Sequence, residues 1–343
     1  MGISRETIKR GIIYSVSISI VALVIVMLST QSELTLKAFG RINTDYLVMA
    51  AVITIIFWIL KSLKLQVLIR ALGGRVLFHK VFGIYLASAF VAHVTPSSVG
   101  GLPFQIYFLH KEGIQLGKTT ALTVLDGMLT FIVFMVSTPI LLLIWGEYLN
   151  LGPKITGLFY LAILLVILFI VASLILIFNA HLAKVFLNWV IGLRLVKRFF
   201  KEESLTKFRN FLEKEIDYFN DGIRLLAGSK RDMFLVIIYT VLYWIFYLSL
   251  APVLLKGLGV EVAIPPVILA QLVFNFIQPI IPTPGGSGGA ELGFAYLFKF
   301  MVPGYLLGIF VAIWRFFMFY SSLIIGGIYF IYLVQGTDYL NNE

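Results

Sequence analysis

Apolar residues run through this chain in long blocks cut by short polar stretches. A block that is apolar all round belongs to a helix with apolar surroundings, and about 20 such residues span a bilayer. Six blocks predict full spans: 11–29, 46–60 with about a turn added at either side, 119–145, 157–178, 233–255 and 305–333. Two more, 81–109 and 264–300, are interrupted. The first contains Thr95-Pro-Ser-Ser-Val-Gly-Gly101 and the second Thr283-Pro-Gly-Gly-Ser-Gly-Gly289. Proline and clustered glycine break helices and leave backbone groups unpaired, which membrane depth tolerates only inside protein or beside a wet cavity. The pieces on either side (81–94 and 101–109; 264–281 and 288–300) predict two helical hairpins that enter and leave on one side. The expected fold class is therefore an all-α polytopic membrane protein, with about six full spans plus two re-entrant hairpins.

Composition agrees. Of 343 residues, 60% are hydrophobic and 13% charged, with mean hydropathy +0.98, which excludes an ordinary soluble core. With no cysteine, disulfides and thiolate chemistry are excluded, and the four histidines are scattered without metal-ligand spacing. No cofactor is expected. The run after Met1–Arg10 has no small-residue cleavage site and reads as a span, not a signal peptide.

The net charge of +10 changes the picture only through its distribution. With the N-terminus in the cytoplasm, 21 of the 27 Lys and Arg fall inside, Lys61 and Lys64 among them. Only Lys37, Arg41, Lys154, Lys256 and Lys299 fall outside, while Arg315 lies within a span. That is the positive-inside pattern, and nucleic-acid binding is not expected. The expected place is the cell membrane. This orientation makes 46–145 and 233–333 an inverted-topology repeat offset by 188 residues, with the two breaks in corresponding places. Such breaks are the usual sequence pointer to a transport site near the midplane. Residues 181–232, with apolar positions at helical spacing among mixed charges, predict an amphipathic cytoplasmic connector.

Ionisable groups inside a membrane are costly and functional by default. Arg315 lies about ten residues into the last span, and its guanidinium fork matches phosphate or carboxylate. Glu291 opens the helix after the second break, where the helix dipole favours a carboxylate. Asp126 lies one position from the repeat partner of Arg315, so an Asp126–Arg315 contact is expected alongside, or instead of, an Arg315–Glu291 pair. His93, before the first break, reads as a hydrogen-bonded structural residue. Thr95, Ser97, Ser98, Thr283 and Ser287 offer hydroxyls. Free N–H groups around Gly100, Gly101, Gly285, Gly286, Gly288 and Gly289 are expected to add an anion-binding concavity. Gln105, Asn275 and Gln278 flank the tips.

The run Pro284–Glu291, its degenerate copy Pro96–Gly101, and the buried Arg315 resemble the lysylphosphatidylglycerol synthase transmembrane region family. That family includes the flippase half of the multiple peptide resistance factor and stand-alone members. The resemblance covers about 5–333. It implies a lipid flippase or transporter acting on a polar-headed phospholipid, with lysyl-phosphatidylglycerol one candidate and a polyprenyl-linked sugar another. Two departures stand in the first half: Leu102-Pro103 where a glutamate commonly follows the glycines, and Gly127 where an arginine often follows the aspartate.

The full-length synthases that this resembles carry a separate soluble domain for lysine transfer, for which the residues after 333 are expected to leave no room. The first alternative is thus the membrane part of a phosphatidylglycerol lysyltransferase, with Glu291, Asp126 and His93 as its only acid–base groups. The second is a non-catalytic partner of a separate lipid-modifying enzyme.

Overall fold

A computed structural model describes residues 5–30, 42–145, 202–261 and 263–340, together with scattered positions between 157 and 185. The expected span 157–178 and the start of the connector fall largely outside the described residues. What is described is helical, with no strand among the described residues. The helices are α1 (Arg5–Thr30), α2 (Thr44–Ala71), α3 (Phe78–Val94), α4 (Gly101–Lys111), α5 (Leu116–Trp145) and α6 (Glu202–Gly228). They continue as α7 (Lys230–Gly257), α8 (Ile264–Ile277), α9 (Gly289–Phe298), α10 (Gly304–Arg315) and α11 (Ser321–Leu340).

Four stretches among the described residues are long and apolar enough to cross a membrane: Arg10–Ser29, Thr44–Ala71, Lys230–Gly257 and Gly304–Gln335. Helix α5, of 30 residues, also has the length to do so. An all-α membrane protein is therefore the fold class. One boundary moves substantially. The second span was expected to end about a turn past residue 60, yet α2 continues to Ala71 and carries Lys61, Lys64 and Arg70 inside the helix.

Helices recur at one spacing. α4 and α9 start 188 residues apart, at Gly101 and Gly289, and α5 and α10 start 188 apart, at Leu116 and Gly304. α2 packs along α7, its positional counterpart. The remaining contacts are exchanged: α3 packs on α11, and α8 packs on α5. Close approach in the first of these requires a glycine, because a Cβ on Gly326 would meet the backbone of Leu86 and lie 3.0 Å from the Cβ of Phe90. Helix α1 runs beside α10, α9 and α3, which puts it against the second break.

Within the amphipathic segment, Glu202–Gly228 forms one helix, α6. It docks on the start of α5: the Gly117 amide donates to Glu215 Oε2 at 2.6 Å, and Ile223 and Leu226 are buried.

Candidate functional site

The two breaks have one backbone design. After each Thr-Pro, two residues take left-handed conformations: Ser97 (φ 49°) and Ser98 (φ 58°) in the first, Gly285 (φ 58°) and Gly286 (φ 68°) in the second. The turn bonds match. Ser98 N donates to Thr95 O at 3.2 Å, as Gly286 N does to Thr283 O at 3.0 Å. Val99 N donates to Pro96 O at 3.2 Å, as Ser287 N does to Pro284 O at 3.1 Å. The two breaks touch, pairing as an antiparallel β-bridge between Pro96 and Pro284.

The turns consume their own donors. Gly100 N donates to Thr95 Oγ1 at 3.0 Å, and Gly288 N to Glu291 Oε2 at 2.7 Å. With Gly286 N donating to Thr283 O, three of the six glycine amides expected to form an anion-binding concavity are already committed. Thr95, Ser97, Gly100, Gly101, Thr283, Gly286 and Gly289 build the turns or start the following helices. Thr283 Oγ1 closes the second by donating to Ser287 O at 2.6 Å.

Around the second break a charged cluster is fully enclosed. Arg315 is 2% exposed and Glu291 0%. Arg315 Nε lies 2.7 Å from Glu291 Oε1. Its Nη2 donates to Gly285 O at 3.1 Å and to Ser287 Oγ at 3.2 Å. The guanidinium lies over the Phe319 ring, 3.9 Å from its centroid. Ser19 of α1 donates to Glu291 Oε1 and accepts from Tyr320 Oη at 2.8 Å.

Local folding explains how these groups are held. Phe294, three residues after Glu291 and so on the same helix face, stacks on Trp314 with centroids 3.8 Å apart. That stack clamps α9 to α10 beside the ion pair. Immediately after Arg315 the helix widens into a π turn, Phe316–Tyr320. Such bulges re-aim side chains and are frequent at functional sites. Here the π turn carries Phe319 beneath the guanidinium and Tyr320 onto Ser19. One turn on, Ser322 Oγ lies 2.7 Å from His93 Nε2, which gives the expected structural histidine its partner across the two halves.

Arg315 lines a cavity of about 210 Å³. Its wall takes Phe57 and Trp58 from α2, Tyr85 and His93 from α3, and Tyr243 and Tyr247 from α7. Ser98 of the first break and Gln278 before the second complete it. Both halves of the chain thus contribute, and six of the fourteen lining residues are Phe, Trp or Tyr. Two other expected polar residues face elsewhere. Gln105 reaches Thr123 Oγ1 at 3.4 Å, and Asn275 accepts from Tyr247 Oη at 2.8 Å.

Asp126 is not with Arg315, and the expected contact is corrected. Its Oδ2 is 2.6 Å from Lys61 Nζ and its Oδ1 is 2.8 Å from Lys64 Nζ. The Lys64 contact is an ion pair, for Oδ1 has no partner at hydrogen-bond geometry. Lys64 is 2% exposed and Lys61 17%, so the two lysines turn toward Asp126 and only Lys61 keeps access to solvent. The error came from ending α2 too early. The partners of Asp126 lie on α2, in and just beyond the turn expected past residue 60. Ser19 was also missed. Its signal was available: Ser15 and Ser19 sit one turn apart in an apolar span, and both are 0% exposed.

A pair of touching helix breaks, with a buried ion pair and an aromatic cavity between them, defines an integral membrane protein organised around an internal polar site. Comparison narrows the class. The family model described as the lysylphosphatidylglycerol synthase TM region matches residues 12–326, and the chain belongs to that family. It is similar to a UPF0104 membrane protein of Archaeoglobus fulgidus, 28% identical over 333 residues, covering 95% of this chain and 98% of that one. A UPF0104 membrane protein of Methanocaldococcus jannaschii is 24% identical, covering 80% of each chain. No solved structure matches.

Proposed function

We propose that this protein is a flippase that moves a polar-headed phospholipid between leaflets, its phosphate passing through the cavity at Arg315 while the tails stay in the bilayer. The observation that carries this is Arg315 itself. It is a buried guanidinium on a cavity built from both halves of the chain. Its carboxylate partner, Glu291, keeps the guanidinium charged and positioned on the cavity wall, where it meets a phosphate oxygen. A cavity of about 210 Å³ is below the usual range of roughly 300–1,000 Å³ for sites that enclose whole drug-sized ligands. It suits a headgroup rather than an entire lipid. The family description, which names a lysylated phospholipid, makes lysyl-phosphatidylglycerol a reasonable cargo alongside phosphatidylglycerol.

In this reading 46–145 and 233–333 form an inverted-topology repeat in the cell membrane with the N-terminus cytoplasmic. The matching helix starts and the exchanged contacts of α3 with α11 and α8 with α5 support it. Inverted repeats let one site face either side by rocking one half against the other. The lysyltransferase reading is the alternative that the family description raises. It is weakened by Glu291, whose oxygens are occupied by Arg315, Ser19 and the Gly288 amide.

Translocation in proteoliposomes tests the proposal, with headgroup-labelled phosphatidylglycerol and its lysyl form offered side by side. Wild type moves one or both. Arg315→Lys, which keeps the charge beside Glu291 but loses the fork, lowers the rate at least about tenfold. Well-folded wild type that moves neither lipid would overturn it, and lysyl transfer would then be assayed.

A further inference from the structure

A second cationic cluster sits beside this cavity, behind the wall residues Phe57 and Tyr243. Phe57 and Trp58 of α2 line it, and Phe57, Lys61 and Lys64 follow the i, i+4, i+7 stripe of one helix face. The face that borders the cavity therefore leads directly to the lysines. Tyr243, also on the cavity wall, lies beneath Lys61, with Nζ 5.7 Å from its ring centroid.

Charge balance distinguishes this cluster from the pair at Arg315. Arg315 and Glu291 cancel. Lys61 and Lys64 share one carboxylate, Asp126, so this cluster holds one positive charge in excess among the described residues. Buried charge without compensation is expensive. Lys64 is enclosed at 2% exposure, whereas the Lys61 side chain is 17% exposed and lies beside the cavity wall. Neither the ion pair at Arg315 nor the turn amides explain why a second lysine is placed on a carboxylate that already has one.

We propose that Lys61 is an anion-binding residue, and that the Lys61–Lys64–Asp126 cluster beside the cavity receives the negative charge of a phosphate oxyanion. The inference rests on the flippase reading for its lipid cargo. The binding site itself stands or falls independently. Lys61 supplies the uncompensated charge, Asp126 and Lys64 hold it in place, and Arg315 supplies directed donors without net charge. An anionic phosphodiester is thereby favoured over a zwitterionic or lysylated headgroup, whose own cations would meet the lysines, so of the two cargoes above this cluster selects phosphatidylglycerol.

The test uses the full chain in phosphatidylcholine nanodiscs, with thermal unfolding followed as phosphatidylglycerol is raised or, separately, as inorganic phosphate is added. Wild type is stabilised by phosphatidylglycerol, and Lys61→Met, which leaves a one-to-one Lys64–Asp126 pair, needs about tenfold more for the same shift. Lys61→Arg retains the response. Stabilisation by phosphatidylglycerol alone assigns the oxyanion to a lipid, and stabilisation by inorganic phosphate assigns it to a free anion; either, if dependent on Lys61, supports the site. Equal responses of wild type and Lys61→Met, or no response of wild type to either probe, overturn it. A wild type that responds through Lys61 yet moves no lipid in vesicles keeps the site and removes the flippase reading.

Discussion

The two helix breaks share a backbone and differ in everything hung from it. Both use Thr-Pro, two left-handed residues and a glycine at the helix restart. In the first, Pro96 to Gly100 remain partly or largely exposed; in the second, Gly285, Gly286 and Ser287 are buried. The second alone has Glu291 and Arg315. The positions 188 residues earlier hold Pro103 and Gly127. The first half carries its charge elsewhere, on Asp126 with Lys61 and Lys64, whose counterparts are Ser249 and Pro252. Two alike turns thus sit with different charges: a net-neutral Arg315–Glu291 pair at the second, on the cavity wall, and an Asp126–Lys61–Lys64 cluster in the first half, beside that wall. Backbone geometry is repeated; electrostatics are not.

The largest effect that separates the two clusters comes from Arg315→Ala. It leaves the Glu291 carboxylate enclosed without its cation, and removing one partner of a buried pair costs on the order of 3–5 kcal/mol. Equilibrium unfolding in detergent should show that loss. Asp126→Asn should cost somewhat less, about 2–3 kcal/mol, because the carboxylate side chain is 11% exposed and Lys61 can reach water more readily. Exchanging the charges of Asp126 and Arg315 should restore nothing, since each has its own partners. A rescued double variant would mean that the two clusters are in contact.

Smaller again is the backbone contrast. Gly285→Ser places a Cβ 2.9 Å from the His93 carbonyl oxygen at φ 58°, and about 2–3 kcal/mol of destabilisation is expected. Ser97→Gly, at the equivalent position, should stay within about 1 kcal/mol, for relief of the left-handed serine offsets the added chain entropy. Equal effects of these two changes would show that the tips are packed alike, contrary to their burial.

Much of this was legible in the sequence. Long apolar blocks announced spans, and the doubled Thr-Pro motif located both breaks. Arg315 and Glu291 stood out as charges that a membrane span does not carry idly. What sequence concealed was conformational or relational. The π turn at Phe316–Tyr320 has no proline or glycine to mark it, yet it aims Phe319 and Tyr320. The turn amides looked free because their acceptors, Thr95 Oγ1 and Glu291 Oε2, become partners only in the folded turn. Lys61 and Lys64 looked like anchors because charge tally alone does not separate a helix end from a helix interior.

The central claim is that the cavity between the breaks is reached from both faces of the membrane. The chain has no cysteine, so a single Ser98→Cys on the cavity wall reports on it cleanly. In oriented vesicles, a membrane-impermeant thiol reagent supplied on one side and then, in a separate sample, on the other should label Cys at that position from both. Labelling from one face only, in protein that binds its lipid, would contradict the account and leave a one-sided lipid-binding site.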